Sequence, residues 1–197
     1  MRDFIPLGSD VAEKHYYMAC LDLDGRSVLV VGGGTVALEK VRGLLDGGAR
    51  VTVVAPEARP ELLSLPVEWI PRGYHSSDLR GRFLVVAATS STPLNRRVFA
   101  DAEARNVLCN VVDVPELCSL ILPAVHRQGP IAVAVSTGGA SPALAQRIRD
   151  DVAALVGPRH ADLAVQLREL RPWAKENLPT YEARRDYFLR FVQEALH

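Results

Sequence analysis

Three groups of residues have the types and spacing to do chemistry. Gly32-Gly33-Gly34-Thr35-Val36-Ala37 satisfies G-x-G-x-x-[GA]. In that pattern Gly32 makes a tight turn and Gly34 lets the backbone approach the pyrophosphate of a dinucleotide. Ala37 permits close helix–strand packing, and the helix N-terminus, at Thr35 and Val36, faces the phosphate charge. A ligand-free glycine turn would match the same pattern. Here, however, an apolar strand precedes it and a helix and second strand follow, as the mechanism requires. The second group is Asn110-Val111-Val112-Asp113-Val114-Pro115, which sets an acid just past the end of a strand. Asp113 is a candidate proton acceptor, or else a turn-forming acid before Pro115. The third is Ser136-Thr137-Gly138-Gly139-Ala140-Ser141-Pro142-Ala143, a strand end, a glycine loop and a helix start. Ser141 suits an N-cap and Pro142 the first helical position. Ser136, Thr137 and Gly138 belong to a loop whose free N–H groups and positive helix end suit a carboxylate or phosphate. Capping alone also explains Ser141.

Two further stretches bear on the cofactor. A simple NAD site carries an acid at the end of the second strand to meet the ribose hydroxyls. That strand ends Val54-Ala55-Pro56-Glu57, so Glu57 sits slightly late, with Arg59 close behind. Pro56 and Glu57 contact the ribose by side chain or by backbone. NAD is favoured, while Arg59 leaves NADP open. Ala87-Ala88-Thr89 ends another strand on the same carboxyl edge. Small residues at Ala88 and Thr89 let a cofactor lie flat against the backbone, although core packing explains the alanines almost as well.

The elements that must position these groups can be read from apolar periodicity. Ser27–Val31 and Val51–Ala55 are short apolar strands around a helix over Val36–Leu45, which Gly47-Gly48 stops. Further strands are expected at Val67–Ile70, Phe83–Ala88, Val107–Val112 and Ile131–Val135, with a polar stretch over 74–82 and a helix over Pro93–Arg105. Continuous apolar strands alternating with helices imply a parallel sheet covered on both faces. The alternation breaks near Val114. Leu117–Val125 and Ile131–Val135, joined by Arg127-Gln128-Gly129-Pro130, read as an antiparallel pair. Beyond Pro142 come helices over Ala143–Val156, Ala161–Glu176 and Tyr181–Leu196, separated by Gly157-Pro158 and Pro179. The expected fold is therefore α/β: an extension or arm over 1–19, a Rossmann-like domain over 20–112, a bridging hairpin segment over 113–140 and a small helical domain over 141–197.

Composition narrows the classes. The 23 basic and 23 acidic residues cancel, which argues against a nucleic-acid partner. Cys20, Cys109 and Cys118 form no C-x-x-C and are too few for a disulfide framework, as expected of free thiols in a reducing cytosol. Met1–Lys14 does not read as a secretory leader, and no apolar run approaches the roughly 20 residues that span a bilayer. A cytoplasmic protein without a membrane partner is expected. Short-chain dehydrogenase chemistry needs Tyr-x-x-x-Lys, but after Tyr181 that position holds Arg185. Histidines 15, 75, 126, 160 and 197 are scattered, so no metal site is expected.

Several unrelated segments point to one family. They are Leu21-Asp22-Leu23-Asp24-Gly25-Arg26, the glycine segment with Glu39-Lys40-Val41-Arg42, and Val53-Val54-Ala55-Pro56-Glu57. Ala87-Ala88-Thr89 with Leu94-Asn95, Cys109 to Asp113, Pro123-Ala124, and Ser136 to Gly139 with Ser141-Pro142 continue the match in order. From about residue 16 to 197 the chain resembles the siroheme-synthase precorrin-2 dehydrogenases. That resemblance implies NAD-dependent oxidation of precorrin-2 to sirohydrochlorin in a homodimer built through the middle segment, with Asp113 as the central carboxylate. In some members it also implies insertion of ferrous iron, as a substrate, to give siroheme. A carboxylate-rich tetrapyrrole calls for cations, for which His126, Arg127, Arg147 and Arg149 are candidates. Arg147 and Arg149 cannot share one helix face. The chain departs from the family at Ser119-Leu120-Ile121-Leu122, where an aromatic residue is common, and at Thr137, where some members have serine. The methyltransferase domain fused in some bacterial relatives is not among these 197 residues, so precorrin-2 is expected from another protein. The competing reading is an NAD(H)-sensing regulatory module, which uses the same glycine loop without needing Asp113. A chelatase with a vestigial Rossmann domain is a third, and the intact glycine pattern speaks against it.

Overall fold

The protein was analysed as a computed structural model that describes residues 16–196. The extension expected at the N-terminus falls mostly outside the described residues. The chain forms two compact units that divide between Leu122 and Pro123.

The first unit follows from apolar strands with no polar face. Strands β1 (Ser27–Val31), β2 (Arg50–Val54), β3 (Glu68–Ile70), β4 (Leu84–Ala87) and β5 (Leu108–Val111) make one parallel sheet in the order β3-β2-β1-β4-β5. Helix α1 (Thr35–Asp46) follows β1, and α3 (Thr92–Glu103) follows β4. Successive residues of a strand face opposite sides. Val28 and Val30 therefore join Val41 and Leu44 of α1, while Leu29 and Val31 join Val98 and Ala102 of α3. Both faces are covered, so the strands read as continuous apolar runs. The strand order reverses between β1 and β4, and it is at the carboxyl ends beside such a reversal that open α/β sheets bind ligands.

The structure adds two short elements and corrects one expectation. Helix α2 (Pro60–Leu63) is too short to leave an apolar periodicity. The polar stretch at 74–82 contains a 3-10 turn over Ser76–Leu79. Leu117–Val125 is not a strand along its length. The Ser119 and Leu120 N–H groups instead bond the Cys109 carbonyl at 2.9 and 3.2 Å. Pairing begins only with β6 (Ala124–Gln128), so Arg127 and Gln128 belong to the strand rather than the turn.

In the second unit β6 pairs antiparallel with β7 (Ile131–Val135), with His126 opposite Val133. Gly129 and Pro130 form the turn, and Gly129 takes the positive φ of 55° that such short hairpins need. Helices α4 (Pro142–Leu155), α5 (Pro158–Asn177) and α6 (Tyr181–Leu196) follow. Among the described residues no helix is long and apolar enough to cross a membrane.

One ion pair in the first unit makes stability depend on pH. Arg72 donates to both oxygens of Asp78 at 2.9 and 2.7 Å, and the His75 N–H adds a third bond. The guanidinium holds the Asp78 carboxyl below the usual carboxylate range. The folded state thus favours the ionised form, and this contribution is complete at neutral pH. It is lost as pH falls from about 4, where an unfolded Asp titrates, through the lowered folded value. Asp78→Asn is expected to flatten the acid limb of a urea-unfolding series against pH, and an unchanged slope would refute the assignment.

Candidate functional site

Parallel register brings the expected cofactor residues to one edge. Val31 lies beside Val54 and Ala87, and Ala87 beside Val111, so the segments leaving β1, β2, β4 and β5 emerge in a row. The ladder continues past the strands. Gly32 N–H bonds the Val54 carbonyl at 3.0 Å, Ala88 N–H the Val31 carbonyl at 2.8 Å, and Val112 N–H the Ala87 carbonyl at 3.0 Å. Gly32, Gly33, Gly34, Thr35, Val36, Pro56, Glu57, Ala88, Thr89 and Asp113 therefore share the carboxyl edge of one sheet.

The three glycines do different things there. Gly32 has φ +123°, and a Cβ on it would run into the Ala88 carbonyl. A Cβ on Gly33 would strike the Glu57 carbonyl and lie 2.7 Å from the Ala58 Cα. Gly34 has open space where a Cβ would point, and ordinary φ and ψ of −84° and −169°. It is the N-cap of α1, and no side chain caps the helix. The uncapped N–H groups and the open approach beside Gly34 fit a pyrophosphate. Ala37, fully buried, packs α1 tightly on the sheet.

The flanking side chains are more committed than their sequence suggests. Arg59 donates to Thr35 Oγ1 at 3.3 Å and to Glu61 at 2.8 Å, and the Glu61 carboxyl is held below its usual range by that bond. Pro56 and Glu57 are exposed. Thr89 Oγ1 donates to Asn95 Oδ1 at 2.7 Å, and the Asn95 amide returns a bond to the Thr89 carbonyl at 3.0 Å. Asn95 is buried, so this pair holds the loop between β4 and α3.

Asp113 is exposed and sits at φ +60°, in the left-handed region. Its loop is tied to β5 by residues that sequence reasoning missed. The Cys118 sulfur accepts the Val111 N–H at 3.3 Å and lies 3.2 and 3.3 Å from the Val111 and Val114 carbonyls, to which its S–H can donate. Ser119 Oγ accepts the Cys109 N–H at 2.8 Å, and Asn110 Nδ2 donates to the Leu120 carbonyl at 3.1 Å. Nothing local in the sequence signals this closure. Burial pushes the Cys109 thiol up to about 12, so it stays protonated and inert. Cys118→Ala leaves a buried N–H unpartnered and is expected to cost about 1–3 kcal/mol in urea unfolding. Cys118→Ser keeps a donor and acceptor and should lose less; equal stability of alanine and wild type would contradict the role.

The remaining expected residues lie in the second unit. Ser136 Oγ accepts the Gly138 N–H at 3.1 Å, and Thr137 Oγ1 exchanges bonds with the Ser141 backbone at 3.0 and 3.1 Å. Ser141 Oγ caps α4 by accepting the Leu144 N–H at 3.2 Å. All three hydroxyls shape their own loop, where Gly138 and Gly139 have positive φ. His126 Nε2 lies 3.1 Å from the Val156 carbonyl, which favours a proton on that nitrogen. Arg147 is exposed and paired with Asp151 at 3.0 Å, and Arg149 is paired with Asp150. Among the described residues no group of three or more His, Cys, Asp or Glu could hold a metal ion.

Comparison with known proteins agrees with this layout. A family model described as "Putative NAD(P)-binding" matches residues 19–124, and one described as sirohaem biosynthesis protein, central, matches 128–155. The siroheme synthase of Ectopseudomonas mendocina is 47% identical over 168 residues, which are 84% of this chain and 36% of that protein. That of Thioalkalivibrio sulfidiphilus is 41% identical over 182 residues, 90% of this chain and 37% of that one. The chain thus spans little more than a third of the length of these curated relatives. A solved structure of SirC, a precorrin-2 dehydrogenase, superposes with a TM-score of 0.76 at 29% identity, over 92% of this chain and 93% of that one. The first model covers more than half of this chain, which therefore belongs to the NAD(P)-binding family it describes, and over most of its length the chain is similar to siroheme synthases and to a precorrin-2 dehydrogenase.

Proposed function

We propose that the protein is an NAD-dependent dehydrogenase that oxidises precorrin-2 to sirohydrochlorin. The observation that carries this reading is Asp113, an exposed carboxylate on the same sheet edge as the glycine turn. Aromatising a reduced tetrapyrrole removes hydrogen as a hydride and a proton. Bound NAD supplies the hydride acceptor. Gly32, Gly33, Gly34, Thr35 and Val36 hold the pyrophosphate, Pro56 and Glu57 meet the ribose, and Ala88 and Thr89 offer a flat backbone. Asp113 takes the proton. Arg59, engaged with Glu61 and Thr35, is poorly placed to receive a 2′-phosphate, which supports NAD over NADP.

In the second unit the loop carrying Ser136, Thr137, Gly138 and Ser141, with His126 and Arg147 as cations, is assigned to the substrate carboxylates. A homodimer built through residues 113–140 and a cytoplasmic location belong to the same reading. Insertion of ferrous iron, as a substrate, needs pyrrole nitrogens to shed protons, and one carboxylate suits both steps. The decisive experiment supplies NAD and precorrin-2 anaerobically and follows NADH. Appearance of NADH with sirohydrochlorin is expected. A protein that binds NAD yet never oxidises precorrin-2 would instead be a dinucleotide sensor. Addition of ferrous ion to sirohydrochlorin, followed by absorption, tests the chelatase step separately.

A further inference from the structure

We propose that helices α5 and α6 form a second binding site, for a molecule with an apolar body and carboxylates along one edge. Between the two helices lies an open groove of about 600 Å³, within the range of small-molecule pockets. Its lining is polarised along the helix pair. Leu167 of α5 and Phe188 and Val192 of α6 supply the apolar part. Arg171, Lys175, Arg184 and Arg185 lie toward the end where Leu178-Pro179-Thr180 joins the helices, and no acidic residue lines the space.

The fold accounts for only two of the four charges. Arg184 donates to the Leu178 carbonyl at 2.7 Å, and Arg185 pairs with Asp186 at 2.8 Å. Among the described residues Arg171 and Lys175 have no carboxylate within ion-pair distance. They stand one turn apart on α5, where like charges repel. Four cations toward one end of the groove, with apolar side chains toward the other, complement an anionic edge followed by an apolar body. An octacarboxylate charged all round its rim, the class expected of the proposed substrate, fits that polarity poorly. The inference therefore stands apart from the dehydrogenase reading.

Mesoporphyrin IX carries two propionates on one edge and is a suitable probe, with its dimethyl ester as the uncharged control. Binding to the full chain can be read from porphyrin absorption and from quenching of Trp173. That residue lies on α5, with its ring 5.5 Å from Tyr187 of α6. The diacid is expected to bind, and the ester to bind at least about tenfold more weakly. Raising ionic strength from about 0.1 M to about 1 M shortens the screening length from about 10 Å to about 3 Å and should weaken the diacid alone. Arg171→Gln/Lys175→Gln is expected to lose about tenfold in affinity while NAD affinity and thermal midpoint stay put. Asp113→Asn should bind the probe as wild type does. Equal binding of acid and ester, or of variant and wild type, overturns the proposal. So does absence of binding, as when a second copy of the chain covers this face.

Discussion

Asp113→Asn is expected to lower precorrin-2 turnover by about 10²–10⁴-fold while leaving NAD affinity unchanged. Asparagine is nearly isosteric and tolerates the left-handed region at least as well as aspartate does, so the loop should keep its shape. What it cannot do is accept the proton. A second variant separates chemistry from backbone strain. At φ +60° a residue with a Cβ is disfavoured by roughly 1–2 kcal/mol, and glycine is not. Asp113→Gly removes that strain but frees the unfolded chain, so its stability should stay within about 1 kcal/mol of wild type. Asp113→Ala keeps the strain and should be the least stable of the three. All three should be inactive in the anaerobic NADH assay, whatever their order in urea unfolding. Loss of activity that tracked stability would point to the loop rather than the carboxylate. Normal turnover by Asp113→Asn would remove the proton acceptor from the mechanism.

The strands were largely legible, because a sheet covered on both faces needs strands apolar throughout. Val28–Val31 and Val85–Ala87 are such runs, and each is buried along its length. What the sequence obscured depended on contacts between distant backbones. Leu117–Val125 has the composition of a strand, yet its start is drawn back onto the Cys109 carbonyl, leaving only Ala124 and Val125 to pair. The hydroxyls of Thr89 and Thr137 look free in sequence, and each closes its own loop instead. The glycine pattern and an acid just past β5 could be placed from spacing, whereas the role proposed for Asp113 rests on the family resemblance. The left-handed backbone at Asp113 and the sulfur of Cys118 that closes its loop could not be placed, since neither leaves a periodic or compositional trace.

Gly33 and Gly34, adjacent in the chain, should fail in opposite ways. In the motif the middle position is free, but here a Cβ on Gly33 would meet the backbone of Glu57 and Ala58, which has no flexible end to yield. Gly33→Ala must displace the segment after β2 or the glycine turn itself. It is expected to destabilise the protein by about 1–3 kcal/mol, the scale of overpacking, and to lower NAD affinity only as a consequence. Gly34→Ala meets nothing within 4 Å, and its φ of −84° suits any residue. The fold should be untouched, with a thermal midpoint close to wild type. The new methyl instead enters the space left for the pyrophosphate and should weaken NAD by at least about tenfold, near 1.4 kcal/mol. Calorimetry with NAD beside thermal unfolding distinguishes the two. If Gly34→Ala bound NAD as wild type does, the phosphates could not run over that N-terminus. If Gly33→Ala were as stable as wild type, the contact between the glycine turn and Glu57 would not be what holds the turn shut.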